Sequence, residues 1–324
     1  MSDSDTGRTP AADNWDTYWH GAEKKEAFTG GGAGHPAIHA FWDELFARAG
    51  SRIDSPRMID IASGNGAVIE RAKHAFASTP AEYTCVDISA SAVNMLRQRY
   101  PDVTGIVADA RSIPLESENY DIVASQFGIE YAGLDAVPEM LRLVAGGGTL
   151  ALLLHHRDGG IYRQSFASFE ALQKLQQSRF IDLSIATFET GFSACRGGDR
   201  ETYEAAAKQL VPAIQAVEAI MAQYGPNVAD GTIRALYRDV GAIHGRLPKY
   251  DPAEVLDWLN RMQDEILAYS GRMSSMCNAA ITETAFLQLC GRIRDDGFDI
   301  ERSDALILPE RGVPLAWAVI ANRS

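Results

Sequence analysis

The sequence predicts an α/β fold: a doubly wound, mostly parallel seven-stranded sheet with an antiparallel C-terminal edge hairpin and a large helical insertion after the fifth strand. Three observations carry this. Between Arg57 and His155 short apolar runs alternate with helix-like segments, the pattern of a parallel sheet covered on both faces. Beyond Ile161 β-branched runs become rare and apolar residues recur at helical spacing. Strand character then returns near the C-terminus.

Taken in order, the strands are expected at Met58–Ala62, Tyr83–Asp87, Gly105–Ala108, Asp121–Ser125 and Thr149–Leu154. Helices are expected between them near Ala67–Phe76, Ala90–Arg99 and Val137–Val144. The run Ala145-Gly146-Gly147-Gly148 is read as the end of the last helix and the turn into the fifth strand, since glycine accepts the left-handed backbone of a helix C-terminus. Within the insertion, Tyr203, Ala207, Leu210, Ile214, Val217, Met221 and Tyr224 step by four and three residues, so one helix carries a continuous apolar seam. Val255, Trp258, Leu259, Met262, Ile266 and Tyr269 form a second seam. Strands at Asp304–Leu308 and Ala316–Ala321, joined by the short Pro309–Pro314 connection, read as an antiparallel hairpin at the sheet edge.

Composition narrows the function. The chain has 324 residues, with 43 acidic and 30 basic side chains and a formal net charge of −13. That charge repels phosphate backbones, and no window gathers Lys and Arg among aromatics, so no nucleic-acid partner is expected. No run nears the roughly 20 apolar residues of a membrane helix, and the polar, acidic stretch Met1–Asp13 lacks the basic start and apolar center of a secretion signal. A cytoplasmic protein without a membrane partner is the expectation. Cys85, Cys195, Cys277 and Cys290 are far apart and make no CxxC or His-rich cluster, so neither a disulfide framework nor a metal site is expected.

The chemistry gathers at strand ends. Met58-Ile59-Asp60-Ile61-Ala62-Ser63-Gly64-Asn65-Gly66 runs from a strand through a Gly-rich turn into a helix, where small residues let a ligand approach and free amides meet its polar parts. Asp87 ends the second strand, where a carboxylate can accept from both hydroxyls of an adenosine ribose. Asp109 follows the third, and Tyr120-Asp121-Ile122-Val123-Ala124-Ser125 supplies a fourth with small and polar residues at its end. Alone, Gly64 and Gly66 read equally as turn glycines, and Asp60, Asp87 or Asp109 as helix caps or surface carboxylates. Their joint order and spacing carries the inference.

Over Met58–Leu154, and again in the C-terminal hairpin, the sequence resembles the class I S-adenosylmethionine-dependent methyltransferases. The family's first motif, an acid followed by alternating glycines, is matched by Asp60, Gly64 and Gly66, with Ala62 at the first glycine position. The resemblance implies S-adenosylmethionine as cofactor. The turn Ala62, Ser63, Gly64 to Gly66 would then lie against its methionine part, with Asp60 orienting the amino group. Asp87 would hold the ribose, Ile88 would pack on adenine, and Asp109 with Ala110 would bind the adenine edge. The Ala145–Gly148 turn resembles the family's Pro-Gly-Gly with alanine in place of proline. On this reading, residues 1–50 are a helical and aromatic cover segment, 51–160 the cofactor-binding core, 161–297 a helical lid or substrate insertion, and 298–324 the strands that complete the sheet.

A nicotinamide-dependent oxidoreductase is the nearest enzymatic rival, because its ribose-binding acid falls at the same place. Its G-x-G-x-x-G turn needs a third small residue for close helix packing, and counting from Gly64 and Gly66 that position holds Ile69. A binding or scaffold protein that keeps the nucleoside pocket without turnover is the other alternative.

A sulfonium methyl is already activated, so alignment of the acceptor and exclusion of water supply much of the acceleration, and a general base is optional. After the fourth strand the chain reads Ser125-Gln126-Phe127-Gly128-Ile129-Glu130-Tyr131, without the Asn/Asp-Pro-Pro-Tyr/Phe signature of enzymes that methylate exocyclic or amide nitrogens. The expected acceptor is a small molecule, methylated at oxygen. Gln126 is assigned to the cofactor. His155 and His156 follow the fifth strand and are the expected bases, since imidazole titrates near neutral pH; a capped strand-end pair is the competing reading, and Glu130 and Tyr131 rank after them. Tyr18 and Trp19 are expected to cover the cofactor. The apolar seams of the insertion would build a lid or, equally, a homodimer interface.

Overall fold

The computed structural model describes residues 15–16, 34–308 and 312–324. They divide into two compact units: the sheet unit, which takes in the chain to Ile161 and from Ala279 onward, and a helical unit, Tyr162–Asn278.

The sheet unit opens with α1 (Pro36–Gly50), started by proline in its first turn and by the His35 ring, which accepts the Ala37 N–H at 3.1 Å. There follow β1 (Arg57–Ile61), α2 (Ala67–Ala75), β2 (Glu82–Asp87), α3 (Ala90–Arg99), β3 (Val103–Val107), β4 (Tyr120–Gln126), the short α4 (Ile129–Ala132), α5 (Val137–Leu143) and β5 (Val144–His155). The strand order is β3-β2-β1-β4-β5-β7-β6, with β6 (Phe298–Leu308) and β7 (Val313–Arg323) completing seven strands. β1 to β5 pair in parallel, and β7 runs antiparallel to both β5 and β6. The order reverses between β1 and β4, and an open parallel sheet presents its ligand crevice at such a switch point.

Alternation along β5 shows why both faces are covered. Leu150, Leu152 and Leu154 enter one apolar layer, with Met140 and Leu141 of α5; Ala151 and Leu153 enter the other, with Trp42 and Phe46 of α1 and Ile69 of α2. The first layer also takes Phe286, Leu289 and Ile293 of α11 (Glu283–Asp295), a helix that falls within the expected 161–297 insertion. The helical unit accordingly ends at Asn278. The glycine run differs from expectation too. α5 stops at Leu143, Val144 already pairs with Tyr120, and the next pair is Ile122 with Thr149. The three surplus residues on β5 bulge out of the ladder, so the glycines serve a bulge inside the strand instead of a turn before it.

The helical unit comprises the rest of α6 (Gly160–Gln177), α7 (Phe180–Cys195), α8 (Arg200–Tyr224), α9 (Thr232–His244) and most of α10 (Pro252–Ala279). The two seams are its core: Leu210 and Val217 of α8 and Val255, Leu259 and Ile266 of α10 are buried in one cluster, with Ile214, Met221, Trp258, Met262 and Tyr269 at its margin. Among the described residues no helix is long and apolar enough to cross a membrane.

Candidate functional site

The site begins with the turn after β1. Ala62 (φ 54°), Gly64 (φ 50°) and Gly66 (φ 77°) all adopt the left-handed conformation, so the chain reverses sharply and enters α2 with Gly66 as its N-cap. A methyl built on Gly66 would stand 2.1 Å from a Leu96 methyl, so the turn also lies tight on α3. Ile69, at the third position of the dinucleotide motif, is wholly buried, and the side chain there fills the space that motif keeps open.

Asp87, at the tip of β2, ties the turn down. Its Oδ2 accepts the Gly64 N–H and its Oδ1 the Ser89 N–H, both at 2.9 Å. Burial pushes its carboxyl up, while those amide bonds pull in the other direction. Asp60 lies beside it in the sheet, paired with Cys85 of β2 on one side and Ala124 of β4 on the other. Asp60 is 1% exposed, and among the described residues neither of its carboxylate oxygens has a hydrogen-bond partner. Burial, and then the Asp87 charge, hold its carboxyl well above the usual range. The same burial, with the Asp60 charge, pushes the Cys85 thiol up to about 12.

A buried carboxyl without a partner is costly unless something cationic or donating meets it. This is the observation against which S-adenosylmethionine can be tested, and the residues fit: its ammonium and sulfonium are cations, and Asp60 and Asp87 are acidic groups at the switch point beside a turn of small residues.

The remaining residues expected to bind the cofactor are distributed less uniformly. Ile88, next to Asp87, is partly exposed. Ala110 is buried in the sheet core. Asp109 is engaged by Arg111, whose guanidinium reaches both carboxylate oxygens and holds the carboxyl below its usual range. Gln126 Oε1 accepts from the Trp42 indole of α1. Tyr18 and Trp19 lie outside the described residues. The neighboring Trp15 and Asp16 are described: Trp15 stands edge-on to Tyr131 at 5.0 Å, and Asp16 Oδ1 accepts from Ser89 Oγ and Ser91 N–H, each at 2.8 Å. Two consecutive residues thus touch α4, which follows β4, and the start of α3, which follows β2, with β1 between those strands. Sequence reasoning missed this pair, and only the aromatic character of the whole stretch pointed toward it.

The two histidines part company. His156 is stacked on Trp317 (4.1 Å between centroids), which stacks in turn on Phe286 (4.3 Å), and its Nδ1 accepts the Asp158 N–H at 3.0 Å. His155, wholly buried, meets other partners: its Nδ1 lies 2.7 Å from Glu130 Oε1, which also accepts its backbone N–H at 2.9 Å, and its ring packs on Phe127 at 4.5 Å. A carboxyl oxygen on Nδ1 fixes the ring's orientation.

The class is thus a doubly wound α/β domain with a Gly-rich turn after β1 at the switch point, Asp60 near the end of β1 and Asp87 at the tip of the adjacent β2. Comparison with known proteins shows what the chain is similar to: residues 58–148 match the model described as a methyltransferase domain. The chain is 30% identical over 109 residues to an uncharacterized methyltransferase of Schizosaccharomyces pombe, covering 33% of this chain and 42% of that one. It is 28% identical over 124 residues to a ubiquinone/menaquinone biosynthesis C-methyltransferase of Stutzerimonas stutzeri, covering 36% and 48%. It is 28% identical over 158 residues to a malonyl-[acyl-carrier protein] O-methyltransferase of Enterobacter lignolyticus, covering 48% and 59%. The chain therefore spans about half the length of these relatives. Over residues 58–148 the chain is thus similar to methyltransferase domains.

Proposed function

We propose that the protein transfers a methyl group from S-adenosylmethionine to a small-molecule acceptor, at oxygen, with His155 as general base. One observation carries the cofactor half: the buried carboxyl of Asp60, without a partner among the described residues, beside Asp87 and the left-handed turn. When bound, the cofactor supplies a methyl on a sulfonium and leaves as S-adenosylhomocysteine. Asp60 meets its positive end, Asp87 accepts from the ribose, and Ala62–Gly66 gives it room to approach. His155 takes the acceptor's proton as the new bond to carbon forms, and Glu130 is the positioning residue that holds the imidazole.

Oxygen is supported by the missing nitrogen-methylation signature after β4. The O-methyltransferase among the relatives agrees with it, whereas the C-methyltransferase gives a second reading, an acidic carbon from which the same histidine would remove the proton. Calorimetry with S-adenosylhomocysteine and with NADH is the first test, with a heat expected only for the former. Methyl transfer to phenols, carboxylates and activated methylenes follows. Binding without transfer to any acceptor points to a nucleoside-binding protein, and a response to NADH alone overturns the assignment.

A further inference from the structure

Two side-chain-bearing residues in this domain hold left-handed backbone next to the switch point: Ala62 after β1 and Phe127 after β4. Such a conformation is strained for a residue with a side chain and persists only where the surroundings demand it. The surroundings here are each other's loops. A methyl built on Gly128 would stand 2.6 Å from the Ala62 Cβ and 2.6 Å from its carbonyl oxygen, so the β4 loop lies directly on the residue that opens the cofactor turn.

The same short segment continues to His155. Phe127 donates its N–H to the Leu153 carbonyl of β5 at 2.8 Å and sets its ring against the imidazole. Ile129 donates its N–H to Ser125 Oγ at 3.2 Å, closing the loop on itself, and Glu130 follows with both bonds to His155. From Ala62 to the imidazole the contacts are unbroken: backbone on backbone at Gly128, ring on ring at Phe127, carboxylate on Nδ1 at Glu130.

We infer that Phe127 and Gly128 are positioning residues that transmit the state of the cofactor turn to His155. The inference rests on the cofactor and base readings above. Filling the turn presses on Ala62; Gly128 has no side chain to yield, so the movement passes to Phe127 and shifts the imidazole it packs on.

The test uses the full chain with histidine-labeled nuclear magnetic resonance and calorimetry, S-adenosylhomocysteine as probe, and His155→Gln to assign the ring signal. Phe127→Asn is the main variant, because asparagine tolerates left-handed backbone and removes only the ring. Ala62→Gly is the second; it keeps the turn's conformation and withdraws the methyl facing Gly128. The probe is expected to shift the His155 signal in the wild type. In Phe127→Asn the shift should vanish while the dissociation constant changes by less than about threefold, and in Ala62→Gly it should shrink. A wild-type signal unmoved despite measurable binding, or a full shift retained in Phe127→Asn, overturns the coupling and leaves the cofactor site standing. No heat with the wild type removes the cofactor site and the coupling together.

Discussion

Glu130 Oε1 accepts the backbone N–H of His155 and lies 2.7 Å from its Nδ1, so one carboxylate oxygen fixes both the strand end and the ring that projects from it. The two residues come from α4 and β5, elements whose strands are neighbors in the sheet, and both side chains are fully buried. His156, one residue on, is committed to an aromatic stack.

Removing the charge from that carboxylate should separate orientation from binding. Glu130→Gln keeps the size and one acceptor oxygen. Turnover of any accepted substrate is expected to fall on the order of ten- to a hundredfold, with S-adenosylhomocysteine affinity nearly unchanged. A loss of affinity equal to the loss of turnover would give Glu130 a merely structural role.

Asp87 makes two amide bonds besides any it offers a ribose, one of them to Gly64 in the turn itself. Asp87→Ala therefore loses charge-assisted bonding to the ribose worth about 1.5 to 3 kcal/mol in total, which weakens S-adenosylhomocysteine binding on the order of ten- to a hundredfold. Asp87→Asn, which can still accept one amide, should lose less. An unchanged dissociation constant in folded Asp87→Ala would remove the ribose assignment.

Gly66→Ala should show how tightly the turn is built. The alanine would need left-handed backbone and would drive its methyl into Leu96. These add to about 2 to 5 kcal/mol, and at roughly 2 to 4 °C per kcal/mol the midpoint of thermal unfolding should drop by at least 4 °C. A drop smaller than 2 °C would mean that α3 gives way easily.

The parts legible in sequence were those where backbone chemistry dictates residue type. Gly64 and Gly66 stand where left-handed conformations are needed, Asp87 where a strand tip meets two amides, and the seams of α8 and α10 where helical period meets a core. What the sequence could not show depends on contacts between distant segments. Nothing local says that Phe286 and Leu289 join the sheet's core, that Glu130 reaches His155, or that Arg111 engages Asp109. Ala62 was visible as a departure from the glycine pattern; its left-handed backbone, against Gly128, was not.

Asp60 connects stability, pH and ligand. Its folded carboxyl is raised, first by burial and then by Asp87, so the folded state binds a proton that the unfolded chain releases above the ordinary aspartate range. Stability from this group is thus fully present below the unfolded value and declines as pH rises through the folded one. Asp60→Asn cannot ionize and escapes that decline. Its unfolding midpoint should match the wild type's in acid and exceed it increasingly toward neutral and alkaline pH, measured by urea unfolding without ligand. S-adenosylmethionine, which brings positive charge, should narrow the gap by stabilizing the wild type more than the variant. Parallel pH profiles for the two proteins would mean that Asp60 does not titrate in this range, and that the cation it is proposed to meet is held elsewhere.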